Sequence, residues 1–245
     1  MSEWWETFFA GLWEQAQVGN WSEDDNRVAA DKLERALELQ SGAEILDVPC
    51  GDGRISIEFA ARGYAVTGAE LNQAFLAVAA RKAEDRGVSV TWLRHDMRDL
   101  PFDSRFDAAI NVGGSFGYFD DAGDARTAAG LHRALRSGGR LLMDVASAET
   151  IFPRYRERVW SSVDGILVLN ENRYDHETGR NETDWTLLGA DGTREHRHSS
   201  MRLYTYHELA GLLTDVGFTS VDGFDAEDLG RFRIGASRLI VVATK

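Results

Sequence analysis

Apolar positions follow two rhythms along this chain. Up to about residue 44 they recur at helical spacing. Trp4, Trp5, Phe8, Phe9, Leu12 and Trp13 form one stripe, and a second helical stretch over 22–40 sets Val28, Leu33, Leu37 and Leu39 inward. Ser22 and Asp25 suit its start, and Ser41-Gly42 its stop. Beyond residue 44, short apolar runs alternate with helical patterns. Strands are predicted at 44–48, 64–69, 88–94, 106–112 and 139–145, with helices at 54–62, 72–86 and 122–135. Strands apolar throughout are buried on both faces, so this order predicts an α/β fold with a parallel sheet between helices.

The alternation stops after residue 157. Strands are predicted at 158–163, 166–174, 182–188 and 193–203, joined by Asp164-Gly165, Glu177-Thr178-Gly179 and Asp191-Gly192. That pattern is an antiparallel meander inserted into the α/β core. A helix at 207–216, a strand from 217 and a strand at 237–244 return to the core. The division is therefore 1–44, a helical segment and candidate lid; 45–150, the core; 151–203, the insert; and 204–245, the closing part of the core.

Composition narrows the function. With 27 Lys and Arg against 40 Asp and Glu, the net charge is −13, which disfavours nucleic acid and anionic membranes as partners. The insert brings no relief, with eight Arg against nine acids. Apolar residues at 43% exclude a disordered acidic tail. Cys50 is the sole cysteine, so no disulfide framework and no multi-cysteine metal site is expected. Met1 to Gln15 carries acids where a signal peptide carries Lys or Arg, and no apolar run reaches membrane-spanning length; a cytoplasmic protein is expected.

The chemistry concentrates at Ile45-Leu46-Asp47-Val48-Pro49-Cys50-Gly51-Asp52-Gly53-Arg54, a glycine pair between a strand and a helix. A dinucleotide turn would have a third glycine where Ser56 stands, and the carboxylates of Asp47 and Asp52 would repel a pyrophosphate. A cationic ligand without phosphates suits the turn, and S-adenosylmethionine is such a ligand. Glu70 ends the next strand, about 20 residues on, where an acid can accept from ribose hydroxyls. His95-Asp96-Met97 follows the third strand, where an acid and a thioether can meet an adenine.

These segments carry a resemblance. LDVPCGDGR, VTGAEL, RHDMRDLPF, FDAAINVGGSFGYFDD and LRSGGRLLMDV resemble successive motifs of the class I S-adenosylmethionine-dependent methyltransferases, over residues 42–148 with agreement again over 204–245. The resemblance implies a Rossmann-like seven-stranded sheet whose last strand is antiparallel. By position it implies Asp47, Gly51 and Gly53 at the methionine end, Glu70 and Leu71 at the ribose, Asp96 and Met97 at the adenine, and Asn111 near the transferred methyl. The insert resembles that of small-molecule N-methyltransferases acting on amino sugars and other secondary metabolites, which places 151–203 on the acceptor side. The expectation is methyl transfer to a small molecule, nitrogen favoured over oxygen, leaving S-adenosylhomocysteine, without a metal, in a monomer or homodimer. The alternative is a non-catalytic binding module of the same fold with a protein partner. Acceptor-binding candidates are Ser115, Phe116, Tyr118, Arg173, Trp185 and Arg202; candidates for acid–base work are Tyr118, Glu171 and His198.

Overall fold

The computed structural model describes residues 3–17 and 21–245; Met1, Ser2 and residues 18–20 of the N-terminal segment lie outside the described residues. In chain order, α1 (Trp4–Phe8), α2 (Leu12–Gln17) and α3 (Glu23–Leu37) precede β1 (Glu44–Asp47). The core continues as α4 (Arg54–Ala61), β2 (Ala65–Glu70), α5 (Gln73–Arg86), β3 (Thr91–Arg94), β4 (Phe106–Asn111), α6 (Asp121–Ala134) and β5 (Leu135–Val145). The short α7 (Ala148–Ile151) leads into β6 (Arg158–Val163), β7 (Ile166–Asp175), β8 (Arg180–Leu188) and β9 (Arg194–Arg202). Last come α8 (Tyr206–Asp215), β10 (Ser220–Asp225) and β11 (Leu239–Thr244).

The seven core strands lie in the order β10-β11-β5-β4-β1-β2-β3. All pairs are parallel except those of β11, which runs antiparallel to β5 and β10. The Rossmann-like fold implied by the resemblance is the fold observed. Strand alternation sorts the core onto two faces. Ile45 and Leu142 pack with Ile55, Phe59 and Leu37 on one side, and Leu46 and Leu141 with Phe106, Leu131 and Leu213 on the other. The insert is a separate sheet, β6-β7-β8-β9, antiparallel throughout. Its Ile166, Val168 and Leu187 pack on Leu12 and Ala16 of α2.

Several local expectations shift. The N-terminal stripe is two helices, because Gly11 stands between them at φ +63°, and a Cβ there would meet the Glu195 carboxylate at 2.5 Å. In α3 the inward residues are Ala30, Leu33 and Leu37, an i, i+3, i+7 set; Val28 falls off that stripe and is 51% exposed, and Leu39 lies past the helix end, half-buried. The third strand starts at Thr91, not Val88, and the fifth reaches back to Leu135. The stretch between β5 and β6, without a regular apolar period, holds α7 and a single 3-10 turn at Phe152–Arg154.

Candidate active site

The strand order reverses between β1 and β4, and a crevice opens beyond the carboxyl ends of the parallel strands at such a point. It is filled here by a cavity of about 610 Å³. Asp47 is the last residue of β1 and lies at the cavity wall, 1% exposed. Its Oδ2 accepts from the Ser56 hydroxyl at 2.6 Å, and its Oδ1 has no partner among the described residues. Burial pushes its carboxyl up to about 7, against the Ser56 hydrogen bond and the nearby Arg54 charge, which favour ionisation. A buried acceptor with an unused oxygen is suited to a cationic group of a ligand.

Glu70 closes β2 and is also buried. Its Oε2 accepts from the Gly51 N–H at 3.0 Å and its Oε1 from the Asn72 N–H at 2.9 Å. Burial raises this carboxyl too, although the amide hydrogen bonds oppose the shift. Each oxygen keeps a lone pair, which suits a vicinal diol. Gly51 leaves open space at the wall. Gly53 serves a different purpose: at φ +78° its Cα abuts the sheet, and a Cβ would come within 2.6 Å of the Trp92 ring and 2.8 Å of Ala79. Gly53→Ala is expected to cost about 1–3 kcal/mol by overpacking, read as a lower Cm in urea.

Asp96 and Met97 line the cavity beyond β3. Burial works against ionisation of Asp96, but hydrogen bonds from Arg98 outweigh it and hold the carboxyl below its ordinary range. Arg98 Nη2 donates to Oδ2 at 2.7 Å and the Arg98 N–H to Oδ1 at 2.8 Å. The same guanidinium lies over Phe119 at 4.3 Å and Trp5 at 5.4 Å, with Glu3 at 3.7 Å. It thereby ties α1 to the rim of the cavity. Arg98→Ala is expected to weaken cofactor binding about fivefold through faster dissociation, measurable by stopped-flow fluorescence of the neighbouring tryptophans.

The roof is aromatic. Trp5, Phe9 and Ala10 of the N-terminal segment line the cavity together with Tyr118, Phe119 and Phe75. Trp5 meets Phe119 edge-on at 4.7 Å, Trp4 meets Tyr118 at 4.8 Å, and Phe9 stacks on Tyr118 at 6.1 Å. Burial pushes the Tyr118 phenol up to about 12, despite a hydrogen bond with Ser115 that favours the phenolate, so it is un-ionised at neutral pH. The loop holding these rings is anchored from the insert. Arg180 donates to the carbonyls of Gly117, Tyr118 and Phe119 at 3.2, 3.0 and 2.7 Å.

Of the residues expected from sequence, the cavity gathers Asp47, Gly51, Glu70, Leu71, Asp96, Met97, Ser115 and Tyr118. Asn111 stands behind its wall, fully buried, with Nδ2 donating to the Val48 carbonyl at 2.8 Å. The remaining acceptor-side candidates are not brought to it. Phe116 is core, 1% exposed, against Tyr204. Trp185 packs on Phe8 and Trp13 and donates to the Ser199 hydroxyl at 2.8 Å. Arg202 pairs with Glu208 at 2.8 Å. Glu171 pairs with Arg158, and His198 lies between Glu182 and Asp184, each at 2.9 Å.

Strand alternation explains this. Ile166 and Val168 turn one face of β7 towards α2, which sends Glu171 and Arg173 to the other. The cross-strand register carries His198 and Arg202 to that face as well, where Arg202 packs over Tyr204 and pairs with Glu208 of α8. Asp52, read as free negative charge, is neutralised by Lys82 at 2.5 Å. Conversely, Trp5, Glu6, Phe9, Glu14, Arg54 and Phe75 line the cavity without having been singled out as site residues; for Trp5 and Phe9 the signal was the aromatic density of the first 21 residues, and for Arg54 its place in the glycine turn. Among the described residues no cluster of His, Cys, Asp and Glu could hold a metal ion, and no helix is long and apolar enough to cross a membrane.

An acid-lined crevice at the switch point of a seven-stranded sheet with an antiparallel last strand defines a Rossmann-like ligand site, and comparison with known proteins gives its class. Residues 45–139 match a methyltransferase domain family. The demethylmenaquinone methyltransferase of Thermus thermophilus is 38% identical over 152 residues, covering 57% of this chain and 68% of that one. A solved S-adenosylmethionine-dependent methyltransferase from Clostridium acetobutylicum superposes with a TM-score of 0.80 over 98% of each chain at 16% identity. An amino pentose methyltransferase from Micromonospora echinaspora, solved with S-adenosylmethionine bound, gives 0.67 over 96% of this chain and 97% of that one at 23% identity. The chain belongs to the class I S-adenosylmethionine-dependent methyltransferases. It is thus an enzyme whose cofactor is S-adenosylmethionine.

Proposed function

We propose that this enzyme methylates an amine nitrogen of a small molecule. The observation that carries the reading is the cavity itself: carboxylates at its floor, aromatic rings at its roof and Glu6 and Glu14 in its wall. When bound, S-adenosylmethionine supplies a methyl group on a sulfonium, already activated for displacement. The protein's task is then binding, orientation and exclusion of water. Asp47, with its unused oxygen, holds the ammonium end beside Gly51. Glu70 accepts from the ribose hydroxyls next to Leu71, and Asp96 with Met97 borders the adenine. Asn111 and Gly53 act indirectly, the first by pinning the end of β4 to the turn, the second by seating the turn against Trp92.

Ser115, Tyr118 and Phe119 border the acceptor, with Trp5 and Phe9 closing over it. Aromatic faces and the two glutamates favour a cationic amine over an anionic acceptor. A neutral Tyr118 phenol can donate a hydrogen bond but cannot serve as a base at neutral pH. An amine can lose its proton to water before attack, whereas a hydroxyl would need a base. The similarity to an amino pentose methyltransferase supports a small polar amine. The test is a panel of amino sugars, alkyl amines and phenols, read by mass spectrometry for S-adenosylhomocysteine and methylated product. Methylation at nitrogen is expected; methylation confined to phenols would overturn the reading.

A further inference from the structure

The insert's two edges are treated differently. The β9 edge is covered by α1 and by the Gly117 carbonyl, which accepts from the Arg202 N–H at 2.8 Å. The β6 edge is bare: among the described residues nothing pairs with it, and all its residues but Val163 are exposed. Natural edges are blunted by lysine, proline or a bulge, and this one has none of them between Val159 and Val163. It carries instead Trp160, 74% exposed, beside Leu169 on β7.

The hydrogen-bond phase of this edge is fixed. The Asn172 N–H donates to the Glu157 carbonyl at 2.7 Å, so odd-numbered residues of β6 bond to β7. The backbone groups of Arg158, Trp160 and Ser162 therefore point outward. We infer that β6 pairs antiparallel with β6 of a second copy about a two-fold axis, joining two inserts into one eight-stranded sheet. Even-numbered residues must then face even-numbered ones. One such register centres on Ser161 and sets Val159 against Val163, Trp160 against Ser162, and Arg158 beside Asp164 of the second copy, opposite charges meeting at both ends. A shift by two residues would set Glu157 against Val163 instead. The two Trp160 rings become diagonal neighbours on one face, over Leu169. A single strand pair is a small interface, so the dissociation constant belongs on the order of micromolar.

Light scattering at about 100 µM chain is expected to read a dimer. Trp160→Lys and, separately, Ser162→Pro are expected to give monomers that still bind S-adenosylhomocysteine; the proline removes only an outward N–H. In the Ser161-centred register, Ser161 faces itself across the axis in a non-hydrogen-bonded pair, close enough for a disulfide. Ser161→Cys under mild oxidation is expected to cross-link the chains, whereas Ser104→Cys, on an exposed turn elsewhere, is not; the native Cys50 is buried. A wild-type monomer at that concentration overturns the inference. So does a dimer that survives both substitutions and fails to cross-link at residue 161.

Discussion

Glu70→Ala is expected to lower the affinity for S-adenosylhomocysteine about 100-fold or more in isothermal titration calorimetry. Two losses add. The ligand's ribose hydroxyls lose a charged acceptor, worth about 1.5–3 kcal/mol, and about 1.4 kcal/mol is a factor of ten. The Gly51 and Asn72 amides also lose the oxygens they donate to, at 3.0 and 2.9 Å, so the turn that borders the ligand is no longer held. Glu70→Gln separates the contributions. It keeps one carbonyl acceptor and much of the shape, so a smaller loss is expected. Equal affinity for wild type and Glu70→Ala would remove Glu70 from the cofactor site.

Cofactor affinity is expected to rise with pH, by up to tenfold per unit below about pH 7, and to level off above it. The reason is Asp47, which burial raises to about 7 in the ligand-free protein. A cationic ammonium favours the ionised form, so the bound state has the lower pKa and binding releases a proton. Stability runs the opposite way. A carboxyl raised from 3.8 to about 7 on folding contributes stability that is fully present below the unfolded value. That contribution fades as pH rises from about 4 and is gone above about 7. Asp47→Asn is therefore expected to flatten the pH profile of binding, weaken the cofactor at pH 8, and raise the Tm of the ligand-free protein there. Calorimetry and thermal melts at pH 6, 7 and 8 measure all three. A sloping profile retained in Asp47→Asn would assign the proton to another group.

The site divides along a line of distance in sequence. The glycine turn, Glu70 and the Asp96-Met97 pair were legible because each sits at the end of its own strand, where a short local pattern sets its place. Arg98 was not: it reads as surface charge, and only the approach of Glu3 and Trp5 makes it a tie to the rim. Arg180 was equally silent, since the loop carbonyls it holds lie more than 60 residues away. Phe116 and Phe119 lie in one aromatic loop, and nothing local says that the first turns into the core and the second to the cavity. In the insert the alternation was visible, but not which of its two faces would pack.

The sequence by itself thus determined the α/β core, the insert and the three acid-bearing loops, because periodicity and strand-end chemistry act over a few residues. The tertiary structure alone decided which rings of the N-terminal segment meet Tyr118 and Phe119, the anchoring of the 113–119 loop and the turning of Glu171, Arg173, His198 and Arg202 away from the cavity. Those outcomes depend on which of two chemically plausible faces is buried. That choice is made by packing between segments far apart in the chain, where α2 claims Ile166, Val168 and Leu187 and leaves the charged face outside.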